Sequence, residues 1–205
     1  MPVATRISRP FFLAPWTLTA SIHTGPGPID DASSSPTQSP ATPSSSPSET
    51  EAEAARARAE KLQTAETVIK YEFENKELLW EALQAAGSDM HELSGHSQGN
   101  KRLASLGDSL IALVVKRDGY LKKYTTGQTA TLVGKVASNY RLATLCDTAG
   151  LTVCVNINPA QGGEISPRTR ADTMEAVVGA VYLDGGLSKA TSAMITLGIV
   201  DATYT

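Results

Sequence analysis

Apolar positions take up a helical rhythm only after about residue 50. In EAEAARARAEKLQTAETVIKYEF, which begins at Glu51, Leu62, Ala65, Val68 and Ile69 recur three and four apart among helix-favouring Ala, Glu, Arg and Lys. Asn75 suits an N-cap, and Leu78, Leu79, Ala82 and Leu83 after it form the buried face of a second helix. Gly87, Ser88, Gly95 and Gly99 mark a loop. The spacing of Leu103, Leu106, Leu110, Leu113 and Val114 predicts a long helix from about Asn100 to Gly119 with those residues toward the core. Another is predicted over roughly Thr129–Thr148, with Leu132, Val136, Tyr140, Ala143 and Leu145 among its apolar positions. Asn156–Ser166 reads as a loop, and helices near Pro167–Leu183 and Ser188–Leu197 close the pattern. Period-two alternation is almost absent, so the expected fold is all-α.

Upstream of this rhythm the composition changes. Residues 30–50 are a Ser/Pro/Thr tract that cannot bury enough apolar surface to offset chain entropy, and they read as a disordered linker. Residues 1–29 hold Arg6, Arg9, His23 and many hydroxyl residues but no acid, which resembles a mitochondrial presequence. Pro2, Pro10, Pro15, Pro26 and Pro28 would interrupt its helix, so a merely disordered terminus is the alternative. The expected organisation is a tail over 1–50, a helical lead-in over 51–63, one domain over 64–200 and a short C-terminal tail over 201–205.

Net charge is −3, but it is unevenly spread. Acids dominate from Glu49 to Glu92, whereas Lys116, Arg117, Lys122, Lys123, Lys135, Arg141, Arg168 and Arg170 outnumber Asp118, Asp147 and Glu164 further on. That basic sector suits either a polyanion partner or an ordinary solvated helical surface. Cys146 and Cys154 have no ligand spacing and read as small core residues of a reducing compartment. His91 and His96 lie in the Gly/Ser-rich loop without helical metal spacing, and no apolar run is long enough for a membrane span.

Three acids stand out because they interrupt apolar helical patterns. Asp172 and Glu175 are three apart and share a helix face, and Asp108 sits among Leu106, Gly107, Leu110 and Ile111. Carboxylates so placed repel one another unless a cation intervenes, and all-oxygen ligation suits Mg2+ or Mn2+. Ion pairing with Arg102, Arg168 or Arg170 explains the same residues equally well.

The segment NKRLASLGDS, Asn100–Ser109, resembles the signature helix of the ribonuclease III family, whose pattern reads Asn-Glu-Arg-Leu-Glu-Phe-Leu-Gly-Asp-Ser. Tyr71–Phe73 with Asn75–Leu79 and Glu81–Leu83 is similar to the family's opening helix pair. Val136–Asn139 with Leu142 and Ala143 resembles its central helix, and Ala171–Gly186 resembles its second acidic helix. The resemblance covers roughly Thr64–Val200. It implies an all-α endonuclease domain that dimerises through the signature helix, as a homodimer or heterodimer, and cuts double-stranded RNA with magnesium. The metal activates water and stabilises the departing 3′ oxygen. By this resemblance Asp108, Asp172 and Glu175 match three of the family's four metal ligands, and Asp108 and Glu175 are the candidate catalytic residues.

Departures from the pattern fall at the same place. Ala104 replaces the fourth ligand, a Glu, and Lys101 replaces a second signature Glu; positions 101, 104 and 108 share one helical face. A unit charge a few ångströms from Mg2+ is worth about several kcal/mol at an effective dielectric near 20, so reduced or absent cleavage is expected. Ser105 stands where the family has an aromatic residue that plugs the partner subunit, a loss of roughly 2–3 kcal/mol of burial per subunit. Gly107 remains and suits a close helix–helix approach. Lys135, Arg141, Arg168 and Arg170 are the candidate RNA contacts. No double-stranded RNA-binding domain follows before Thr205, so RNA affinity is expected from the domain's own surface or from a partner. Three readings result: a degenerate domain that binds structured RNA alone or within an RNA-containing assembly, an active Mg2+-dependent endoribonuclease, and a protein-interaction module that keeps only the fold.

Overall fold

The structure is a computed structural model that describes residues 49–88, 98–157 and 162–204. The N-terminal residues 1–48, His91 and His96 lie outside the described residues. The described elements are α1 (Glu49–Ile69), α2 (Lys76–Ala82), α3 (Lys101–Leu121), α4 (Thr126–Val136), α5 (Asn139–Ala149) and α6 (Pro167–Thr196), with a 3-10 turn at Thr152–Cys154. Among the described residues there is no strand, only a lone parallel bridge between Gln84 and Asn156.

α6 is the central element. Ser166 caps it by accepting from the Thr169 amide at 3.1 Å, and Pro167 occupies the first helical position, where no N–H is needed. Every residue from Ala171 to Val181 is buried, so the helix is surrounded on all sides. Met174, Val177, Val178 and Val181 are fully enclosed, and each side chain contributes about 2 kcal/mol of apolar burial. Gly186 (φ 77°, ψ −178°) kinks the helix, which accounts for the two segments predicted on either side of it.

α3 packs across α6 at a place where neither helix carries a side chain. A Cβ on Gly107 would overlap the Glu175 carbonyl, and one on Gly179 would overlap the Leu103 carbonyl. The close approach expected of Gly107 is therefore made within the chain. Asn100, 1% exposed, pins the start of α3: its amide group donates to Ala82 O at 2.9 Å and to Thr173 Oγ1 at 3.4 Å. From α2, Leu79 and Ala82, followed by Leu83, seal one side, and Leu62, Ala65 and Ile69 of α1 seal another.

Several expectations are corrected. The helix predicted over Thr129–Thr148 is two helices. Thr125 and Gln128 form a capping box that starts α4 earlier, and extended Ser138 (φ −69°, ψ 136°) ends the run and begins α5. Leu113 is half exposed, because α3 turns Ala104, Gly107, Ile111 and Val115 toward the core and leaves Ser105, Ser109, Leu113 and Tyr120 outside. Glu49 and Thr50 already belong to α1, which runs unbroken through residues 63 and 64. At the other end Tyr204 is buried, with its carbonyl accepting from Arg117 Nη2 at 3.4 Å. Cys146 and Cys154 are free and buried as expected, and burial pushes the Cys146 thiol up to about 11.

Candidate functional site

The α3–α6 crossing sets the acids' positions before any side chain is considered. Backbone contact at Gly107 and Gly179 puts Lys101, Ala104 and Asp108 of α3 opposite Asp172 and Glu175 of α6. These five residues, with Ser105, Ala137, Asn139 and Arg168, line one polar cleft of about 390 Å³. The break between α4 and α5 supplies Ala137 and Asn139, which the pattern of apolar positions did not single out. A larger hollow of about 640 Å³ along α4, lined by Tyr124, Gly127, Gln128, Thr131, Leu132 and Lys135, contains no carboxylate and is not the site of this chemistry.

Inside the cleft the three acids have different surroundings. Asp108 is exposed at the rim. Asp172 is 3% exposed, and both of its carboxylate oxygens are occupied. Lys101 Nζ donates to Oδ2, and Arg168 Nε donates to Oδ1 at 3.0 Å from one turn earlier on α6. Glu175 is 8% exposed. Burial, and then the charges of Asp108 and Asp172, push its carboxyl up to about 7 against the opposing pull of Arg168 and Lys101.

These residues do not fit a divalent cation as they stand. Asp172 spends both oxygens on bases and Ala104 offers none. Among the described residues no group of three or more His, Cys, Asp or Glu is disposed to hold a metal ion. The expected ligands Asp108, Asp172 and Glu175 share this one cleft.

The candidate RNA contacts divide sharply. Lys135 is exposed near the end of α4 and has no ion pair among the described residues. Arg141 is occupied by backbone carbonyls: Nη1 donates to Val136 O at 3.2 Å and Ile199 O at 2.8 Å, and Nη2 to Gly198 O at 2.8 Å. It satisfies the carbonyl freed by the α4–α5 break. Arg168 is held by Asp172, and Arg170 pairs with Asp147 at 3.4 Å. Within the basic sector Lys122, Arg168 and Arg170 are thus paired with acids, and Arg141 is held by carbonyls. No described helix is long and apolar enough to cross a membrane.

Known proteins place this arrangement. A family model described as ribonuclease-III-like matches residues 75–200. Ribonuclease 3 of Caldanaerobacter subterraneus subsp. tengcongensis is 39% identical over 134 residues, covering 60% of this chain and 55% of the relative. Ribonuclease 3 of Caenorhabditis briggsae is 32% identical over 127 residues, 60% of this chain but 12% of its own length. The nuclease domain of ribonuclease III from Campylobacter jejuni, a structure concerned with flexibility in a region involved in dimer formation, aligns with a TM-score of 0.58 at 28% identity. It covers 67% of this chain and 94% of that one. The chain thus spans about half the length of the bacterial relative and far less of the nematode one. Since the matched span takes in more than half of the residues and the whole cleft, the chain belongs to the ribonuclease III-like family.

Proposed function

We propose that this is a ribonuclease III-like domain that engages double-stranded or structured RNA in RNA processing, with cleavage reduced or absent. The observation that carries the reading is the double pairing of Asp172 by Lys101 and Arg168 opposite the oxygen-free Ala104. In the family pattern Mg2+ or Mn2+ supplies the water activation and charge stabilisation that hydrolysis needs. Here the cleft keeps three carboxylates against the two bases Lys101 and Arg168, which reduces to one the surplus of negative charge that draws such an ion in. Exposed Lys135, close in sequence to the cleft residues Ala137 and Asn139, supports a phosphate contact at the rim. A partner subunit, identical or different, fits the outer face of α3, where Ser105, Leu113 and Tyr120 are exposed. That the Campylobacter nuclease domain has a region involved in dimer formation supports a partner subunit in general.

The second reading is a Mg2+-dependent double-stranded RNA endoribonuclease that relies on Asp108, Asp172 and Glu175. Convergence of those three residues on one cleft favours it. Incubation of the full chain with double-stranded RNA in Mg2+ or Mn2+, beside Asp108→Asn and Glu175→Gln, separates the two. Cleavage that both substitutions abolish supports the enzyme. Salt-dependent binding without cleavage supports the proposal, and an absence of binding at low salt leaves the interaction module.

A further inference from the structure

A buried aspartate with bases on both oxygens needs no metal, and the two bases come from different places. Arg168 lies on α6 itself, one turn from Asp172, with a side chain 65% exposed. Lys101 comes from α3, so its ammonium joins the two helices at the carboxylate cluster, as a bound cation would. We propose that Lys101 is a tethered substitute for the divalent ion: a cation supplied by the chain that neutralises Asp172, ties α3 to α6 and closes the cleft to Mg2+ and Mn2+. The inference rests on the reading of this cleft as the family's acidic site, but not on whether RNA binds or is cleaved there.

An ammonium that is part of the chain loses no translational freedom on entering the cluster. A divalent ion must displace it and shed part of its own tightly held water. Ala104, 3% exposed, supplies no oxygen to offset that cost. Removing the ammonium leaves Asp172 buried with Arg168 alone, beside Asp108 and Glu175, and restores the surplus negative charge that attracts a divalent ion.

The test is a Mn2+ titration of the full chain, with free Mn2+ followed by electron paramagnetic resonance. Lys101→Met, which keeps the apolar stem, is expected to bind Mn2+ at least roughly tenfold more tightly than the unmodified chain, and adding Asp172→Asn is expected to abolish the gain. Equal binding by the unmodified chain and Lys101→Met, or binding by neither, overturns the proposal. Thermal melting of the unmodified chain gives an independent reading if that variant does not fold. Its midpoint is expected to be the same in EDTA and in Mn2+, and a Mn2+-dependent rise that Asp172→Asn removes overturns the proposal. Neither measurement involves RNA, so this inference and the RNA-binding reading can fail separately.

Discussion

α3 carries a buried acid–base cluster near each end, and the two are built differently. At the C-terminal end Asp118, 5% exposed, faces Lys122, the C-cap residue four positions later, with Nζ 2.9 Å from Oδ2. The Lys122 ammonium also lies 5.0 Å from the centre of the Tyr204 ring. At the N-terminal end Lys101 reaches to a different helix, and Asp108, Asp172 and Glu175 share a cleft with Lys101 and Arg168. The first cluster balances within one turn. The second has three acids to two bases, and burial first, then the charges of Asp108 and Asp172, hold the Glu175 proton up to about pH 7. A local balanced pair completes a helix end, whereas surplus acid between two core helices confers no stability.

The comparison breaks most severely at the crossing that makes the second cluster. Gly107→Ala forces a methyl group into the Glu175 carbonyl, and neither backbone can yield without separating α3 from α6. A loss of about 3 kcal/mol or more is expected from urea denaturation, and a variant of unchanged stability would show that the cleft is not built on this contact.

Next in size is Glu175→Gln. The folded protein holds the Glu175 proton to about 7, whereas the unfolded chain releases it near 4.5. Between those values the native state binds more protons, so this residue's contribution lowers stability as pH rises through the window and then levels off. The amide removes that penalty. It is expected to raise stability above pH 7 by about 2 kcal/mol, with little difference from the unmodified chain below pH 4.5. Urea denaturation from pH 4 to 8 reads both limits, and a pH-independent difference would contradict the assignment.

The balanced cluster should respond asymmetrically. Asp118→Asn leaves an exposed ammonium that water solvates, and is expected to cost about 1 kcal/mol. Lys122→Met strands a carboxylate that is 5% exposed, so it is expected to lower stability more than Asp118→Asn does in parallel thermal melts. The smallest effect belongs to Arg168→Ala. Its side chain is 65% exposed and Lys101 still holds Asp172, so a change of about 0.5 kcal/mol is expected. A much larger loss would make Arg168, rather than Lys101, the principal counter-ion.

That Asp108, Asp172 and Glu175 share one cleft was legible through the resemblance of Asn100–Ser109 and Ala171–Gly186 to the ribonuclease III family; the apolar pattern only made each acid stand out. The outer position of Leu113 was not legible. A leucine three or four residues from other leucines fits the stripe, and only the small face of Ala104, Gly107 and Ile111 against α6 decides the helix's rotation. Nor did spacing reveal the break at Ser138, since no proline or glycine marks it; Arg141 stabilises it by reaching carbonyls about 60 residues away in sequence. Lys101 and Arg168 could be recognised as nearby charges, but their shared partner depends on how two helices cross. Nor did the sequence show which basic residues the fold engages: Arg141 is held by carbonyls, and Arg168 and Arg170 by acids.

With no side chain between the helices at Gly107 and Gly179, the distance from one bank of the cleft to the other is a property of the main chain. Substitutions at positions 101, 104 and 105 can therefore change what the cleft attracts without changing how far apart its walls stand. Shape and chemistry are inherited through different residues. The main chain sets the gap, and the side chains that line it set its charge.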